Sequence, residues 1–478
     1  MTTLSRVLSR QPGRGIDGVA VKWVLIGLAL QLALGALLGG KGPAFAAVLL
    51  LPFVFLVFGD RAIFLALGAL LVAVANVPVQ IIVPGIELQF NVAALCIPLL
   101  GLAWLALRLS SDGVSRLLTG SGLAFAALLG VGAFSIAANL DRLEPTHALA
   151  GLGPYVTNAL AFFMAADAMK GGRTAALKRI RWFLAAGAAG GAVTVVWTII
   201  NFLSGSRTFW KSNMISAGMG VGNLSLFCTV GAVVALSSIV CSRQRSVKAV
   251  GALALAAFVV ALMLSWSRAW FLGAVVGMAV VLGVRSRAAL AGYLILLVCV
   301  GLLFPSLASA VRDLYSERSA PGTYDRFDLW ADGLRIAAEN PAIGVGLSGY
   351  EQHAGYDSRR LFASAHNVYI QTFAETGILG LLALLAIFAL VLREAWGLYR
   401  ESDVQLIRSL ALAVVGLVPG IFVAGMFGHE TMASFANGEL AFVRGSFYLW
   451  FLAGCVTGIY RLYRRRHGSQ FLLGDGVK

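Results

Sequence analysis

His366 is the residue in this chain best placed to act as a base. Asn367 follows it, then Val368-Tyr369-Ile370-Gln371-Thr372-Phe373-Ala374-Glu375-Thr376-Gly377-Ile378-Leu379-Gly380, which runs straight into the apolar stretch 381–392. This spacing predicts a spanning helix that opens at His366. Free N–H groups and the positive end of the helix dipole there attract phosphate and favour the neutral imidazole, which can accept a proton. The simpler reading makes His366 an interfacial residue that caps the helix. Arg268, in Ser265-Trp266-Ser267-Arg268, separates two apolar runs with no loop between them. It either snorkels to the interface or points into a polar cavity. Arg326 is flanked by Asp325 and Asp328, with which it could pair on a solvated face. Glu375 lies about two turns into the helix of His366 and is expected to pair with an arginine, because unpaired charge at depth is costly. His429-Glu430 could ligate a metal or supply a second base, but no further ligand stands at helical spacing, so the pair reads as interfacial. His353 is a further candidate base.

The elements that must position these residues are membrane spans. The chain has 478 residues, of which 59% are hydrophobic and only 12% charged, with 55 glycines. That profile suits lipid as solvent and excludes a water-soluble domain. Five cysteines (Cys96, Cys228, Cys241, Cys299, Cys455) lie in or beside apolar runs without a C-x-x-C, which indicates packing residues and no zinc site or disulfide framework. Runs long enough to span recur near 22–39, 44–58, 62–77, 91–107, 121–138, 150–168, 182–203, 223–241, 249–266, 269–284, 288–304, 367–392, 409–427 and 445–460. The expected fold class is therefore an all-α polytopic membrane protein with about 12–14 transmembrane helices.

A net charge of +15 on a soluble protein would point to nucleic acid; here it maps onto loops and implies no such partner. With both termini in the cytoplasm, 25 of the 37 basic residues fall on inside segments, and six of the other twelve sit in one long loop. The basic residues before the first run resemble a signal peptide, but no small-residue cleavage pattern follows, so the first helix is expected to be retained. Three parts result: a bundle over 1–304, a periplasmic catalytic loop over 305–365, and a second part of the bundle over 366–478.

The loop holds six arginines and eight acidic residues, a near balance that argues for individually placed side chains. Phe327, Trp330, Leu334 and Ala337 are spaced as one face of a short amphipathic helix that ends at Asn340-Pro341. Turns follow through Gly344 and Gly346.

His366-Asn367 with Glu375-x-Gly377, Asn340-Pro341-x-x-Gly344-x-Gly346, Arg326 before an aromatic-rich helix, and Ser265-Trp266-Ser267-Arg268 together resemble the O-antigen ligase and Wzy-type polysaccharide polymerase superfamily. The likeness covers mainly residues 205–392. It implies a metal-independent, inverting glycosyltransferase without a cofactor. Such an enzyme transfers a glycan from a polyprenyl diphosphate donor to an acceptor hydroxyl, on a glycan or on lipid A-core, at the periplasmic face of the inner membrane. It implies that Arg268 and Arg326 grip the diphosphate and that His366 is the base. Guanidinium forks suit that task because they bind a departing diphosphate bidentately and keep their charge. Arg207, Lys211, Asn223 and His429 are candidates for further substrate contacts, although the proline that usually precedes Asn223 in the family is absent.

Polymerisation of O-antigen or exopolysaccharide repeat units is the leading expectation, with O-antigen ligation as the alternative. A transporter or flippase is the rival of another class. It is disfavoured because the apolar runs are nearly free of central charge and show no paired broken helices in two similar halves.

Overall fold

The computed structural model describes residues 78–83, 86–91, 101, 104–105, 119–143, 145–170, 173–203, 221–265, 267–303, 326–354, 364–428 and 446–473. The expected spans 22–39, 44–58 and 62–77 and nearly all of 91–107 lie outside these residues, as do Arg207, Lys211 and His429.

Within the described residues the protein is helical and polytopic. In chain order the helices are α1 (Gly120–Ala138), α2 (Pro145–Ala168), α3 (Arg173–Leu203), α4 (Val221–Cys241), α5 (Arg245–Ser265), α6 (Arg268–Arg285), α7 (Arg287–Leu303), α8 (Arg326–Glu339), α9 (Tyr350–His353), α10 (Val368–Glu401), α11 (Gln405–Gly425) and α12 (Ser446–Leu473). Seven of them, α1, α3, α4, α5, α6, α10 and α11, are long and apolar enough to cross a membrane. One element departs from the all-helical expectation, an antiparallel hairpin of β1 (Pro78–Val83) and β2 (Ile86–Asn91) in register Pro78↔Asn91 to Val83↔Ile86. Its signal was legible: Val79, Ile81, Ile82 and Val83 precede Pro84-Gly85 and a second Ile-x-Leu-x-Phe run.

The bundle packs through small residues, as expected where lipid is as apolar as any side chain. Gly273 and Gly277 of α6 face Gly420 and Gly416 of α11, where a Cβ on Gly420 would come within 2.4 Å of the Gly273 carbonyl oxygen. On the other side Gly454 and Gly458 of α12 abut the Phe162 and Ala166 carbonyls of α2. Between these pairs lies an aromatic layer in which Trp450 stacks on Phe388 at 5.8 Å and meets Phe125 edge-on at 4.8 Å.

Apolarity marks the membrane-crossing part of a helix and not its end. α10 continues past residue 392 to Glu401 and buries Glu394, which accepts hydrogen bonds from Ser121 at 2.9 Å and Thr457 at 2.5 Å. The ends of the bundle differ in charge. Arg243, Arg245, Lys248, Arg285, Arg287, Arg400 and Arg408 all lie at the end where α4 and α10 finish and α5 and α11 begin.

Candidate functional site

The opposite end gathers the sequence-selected residues. α10 is two helical segments joined at Gly377, whose φ of 66° and ψ of −170° break the helix. A Cβ there would lie 2.3 Å from the Ala342 carbonyl carbon and oxygen, so only glycine fits. The break leaves backbone groups unpaired, and the loop Asn340–Gly349 takes them up. Val345 N–H donates to Ala374 O at 3.0 Å, Gly346 N–H to Glu375 O at 3.0 Å, and Ile378 N–H to Pro341 O at 2.8 Å. Gly344, at φ 71°, lies against the same strip of backbone, where a Cβ would meet the Glu375 carbonyl carbon at 2.3 Å. From α1, Ser135 Oγ donates to both Ile343 O and Glu375 O, and Asn139 Nδ2 donates to Gly344 O. The Asn-Pro-x-x-Gly-x-Gly and Glu-x-Gly motifs are thus two halves of one joint.

Glu375 does not pair with an arginine, contrary to expectation. It is buried and accepts from Gln371 Nε2 at 3.0 Å and from the backbone N–H groups of Ser348 and Tyr350. Three N–H donors satisfy the carboxylate locally, which removes the need for a cation. Ser348 has φ 63°, uncommon for a residue with a side chain, and the Glu375 bond holds it there. Tyr350, fully buried, donates to Leu329 O at 2.5 Å and ties this turn to α8.

α8 forms as the sequence predicts, but on a rotated face. Leu329, Gly333, Ile336 and Ala337 are buried, whereas Phe327 and Leu334 are 69% and 50% exposed. The packing partner decides this. Gly333 is where Ile370 of α10 and the Tyr350 ring approach closely, and the residues around that glycine turn inward. Arg335 is spent on Asp332, Glu339 and the His353 carbonyl. Arg326 instead opens α8 and donates from Nη1 to Phe427 O at 3.0 Å.

His366 stands two residues before the first residue of α10. The helix cap is Asn367, whose Oδ1 accepts from Tyr369 N–H at 3.0 Å and Ile370 N–H at 3.1 Å. The capping role is therefore filled without His366. His366 is half-buried at φ 47°, with its N–H bonded to Ser364 Oγ at 3.0 Å. Non-glycine residues at positive φ are uncommon, and such strain persists only where surrounding structure enforces it. The next residues anchor to the same segment as Arg326, since Val368 N–H donates to Gly428 O at 3.1 Å.

Arg268 opens α6. Because Gly273 faces Gly420 and Ala424 while Gly277 faces Gly416, α6 and α11 run antiparallel. Arg268, about one and a half turns before Gly273, therefore lies at the level where α11 ends, near Phe427. Asn223, 7% exposed in the first turn of α4, lies at this end too. Ser225 Oγ is 2.7 Å from Ser265 Oγ, and Thr229 donates to Trp270 O. The structure thus brings Arg326 and the His366 turn onto the Phe427–Gly428 segment, with Arg268 and Asn223 at the same end. His353, the other candidate base, sits on α9 with Nδ1 2.9 Å from Gly349 O. Among the described residues no three or more His, Cys, Asp or Glu side chains gather as a metal would require.

Ser135, Asn139, Tyr350 and the Phe427–Gly428 backbone escaped the sequence reading. A serine and an asparagine four residues apart at the end of an apolar run are a faint signal, and backbone carbonyls leave none.

Residues 252–385 match a family model described as O-Antigen ligase. An O-antigen ligase of Pseudomonas aeruginosa is 34% identical over 100 residues, 21% of this chain and 24% of that protein. A Haemophilus influenzae protein described as "Uncharacterized protein" is 25% identical over 101 residues, 20% of this chain and 25% of its own length. The matches span about a quarter of each relative. The likeness to the O-antigen ligase and Wzy-type superfamily is borne out over this segment, which contains Arg268, Arg326, His366 and both halves of the loop joint.

Proposed function

We propose, on the premise that residues 252–385 are of O-antigen ligase type, that this membrane protein is a glycosyltransferase using a polyprenyl-diphosphate-linked glycan. The observation that carries the reading is the convergence of Arg326 and the strained His366 turn on Phe427–Gly428, at the end where α6 opens with Arg268.

In this reading His366 takes the proton of the acceptor hydroxyl as its oxygen attacks the anomeric carbon. The bond from that carbon to the phosphate oxygen breaks with inversion, and the electron pair leaves on the polyprenyl diphosphate. Arg268 and Arg326 bind the charge that develops there, in place of a metal ion. The loop joint serves the chemistry indirectly: it fixes α8, hence Arg326, relative to the start of α10, hence His366. This end faces the periplasm, and the basic end faces the cytoplasm of a bacterial inner membrane.

Polymerisation of O-antigen or exopolysaccharide repeat units and ligation of O-antigen to lipid A-core share this chemistry. The name of the Pseudomonas relative favours ligation. The test is to incubate the purified protein with polyprenyl-diphosphate-linked repeat units, with and without lipid A-core. A product ladder assigns polymerase, a single transfer to the core assigns ligase, and no transfer of glycan overturns the enzyme reading in favour of a transporter.

A further inference from the structure

The basic end holds a cavity that the glycan chemistry does not use. Arg173 pairs with Asp403 at 2.9 Å, in the connection between α10 and α11, which puts the start of α3 at the end opposite His366. The Arg173 guanidinium holds the Asp403 carboxyl below the usual carboxylate range. From Ala168 to Leu203 the chain has no acidic residue and five cations. Three of these are spent on the protein. Lys170 pairs with Asp167, Arg173 with Asp403, and Arg179 donates to the Ala168 and Lys170 carbonyls. Lys178 and Arg181 are exposed and have no ion-pair partner among the described residues. With Thr174, Leu177, Trp182 and Ala185 they line an open cavity of about 500 Å³, whose described lining is one side of α3.

Thr174, Lys178, Arg181 and Ala185 recur at helical spacing and share one side of α3. Beyond them the exposed side becomes wholly apolar through Val193, Val196, Trp197 and Ile200, each 50–55% exposed. Trp182, 53% exposed, marks the change from charge to hydrocarbon, the level at which indole rings settle in a bilayer. We infer that this cavity holds the headgroup of an anionic phospholipid, with its phosphate between Lys178 and Arg181 and its acyl chains along the apolar side of α3. Retention of charge on the cytoplasmic side would by itself need neither a cavity nor an apolar side continuous with it. A free phosphate would have no use for that apolar side.

The experiment is native mass spectrometry of the detergent-purified full chain titrated with dioleoyl phosphatidylglycerol or dioleoyl phosphatidylcholine. The expected result is one retained phosphatidylglycerol, held at least tenfold more tightly than phosphatidylcholine. Each basic residue at such a surface is worth roughly fivefold, so Lys178→Gln/Arg181→Gln should weaken retention by more than about tenfold. Arg243→Gln/Arg245→Gln, which removes equal charge from the same end, should leave it unchanged. Should the double variant not be recovered folded, Arg181→Gln alone carries the test with a roughly fivefold loss. Equal retention of the two lipids, equal loss in the control variant, or complete displacement by millimolar inorganic phosphate overturns the inference.

Discussion

The Gly346 N–H donates to the Glu375 carbonyl oxygen at 3.0 Å, across the point where α10 breaks. This bond and its neighbours join a loop of the long polar segment to the helix that follows it. Two glycines make the approach possible, so adding one methyl group at either is the sharpest way to disturb it. Gly377→Ala and Gly344→Ala each place a Cβ about 2.3 Å from backbone atoms, at positive φ. Both should lose nearly all transfer activity and expose the loop to limited proteolysis. Gly292→Ala, on α7 with no atom within 4 Å of the added carbon, should behave as the parent protein.

Glu375→Ala removes the acceptor for three donors and leaves the Ser348 and Tyr350 N–H groups buried without partners. The expected cost is about 1–3 kcal/mol per orphaned donor, read as a lowered Tm of the purified protein. Unchanged thermal stability would mean that the turn at Ser348 is held by something else.

Much of this arrangement was legible in the sequence, and the unread part has a common cause. Apolar runs located α1 to α7 and α10 to α12, because burial in lipid demands long unbroken hydrophobic stretches, whereas α8 was read from its amphipathic spacing and the single turn of α9 was not read. His366 and Gly344 stood out by type and spacing, and Arg326 and Gly377 through the motifs that resemble the family. The partners of Glu375 were misjudged: Gln371, one helical turn away, was legible as an i,i+4 donor, but the backbone N–H groups of residues 348 and 350 are announced by no side-chain pattern. The buried face of α8 was misjudged because apolar spacing allowed two faces, and Gly333, with no side chain to count, decided between them. Asn367 was read as part of a motif, yet its capping bonds are what free His366 from that structural duty.

Arg326→Lys keeps a positive charge but cannot both donate to the Phe427 carbonyl and present a planar fork. It should raise KM for the lipid-linked donor as well as lower kcat. A change in kcat alone would argue that Arg326 only anchors α8.

Transfer should survive EDTA undiminished, since guanidinium groups take the place of a metal in the proposed chemistry. Abolition by chelator with rescue by magnesium or manganese would contradict it.

Orientation is checked by reporter fusions. A fusion near Asn340 should report the periplasm and one near Asp403 the cytoplasm, following the segregation of basic residues. The reverse pattern would put the loop joint on the wrong side for a lipid-linked glycan.

The most direct measurement is the single-turnover rate of purified His366→Asn with lipid-linked donor and acceptor. Asparagine tolerates positive φ better than most residues, and Asn367 already caps α10, so the fold and donor binding should persist. Loss of a general base should slow transfer about a hundred- to ten-thousand-fold, with Asn367→Ala as a control that loses about 1 kcal/mol of stability but keeps its chemistry. A His366→Asn protein that transfers glycan at nearly the parental rate would remove His366 from the mechanism.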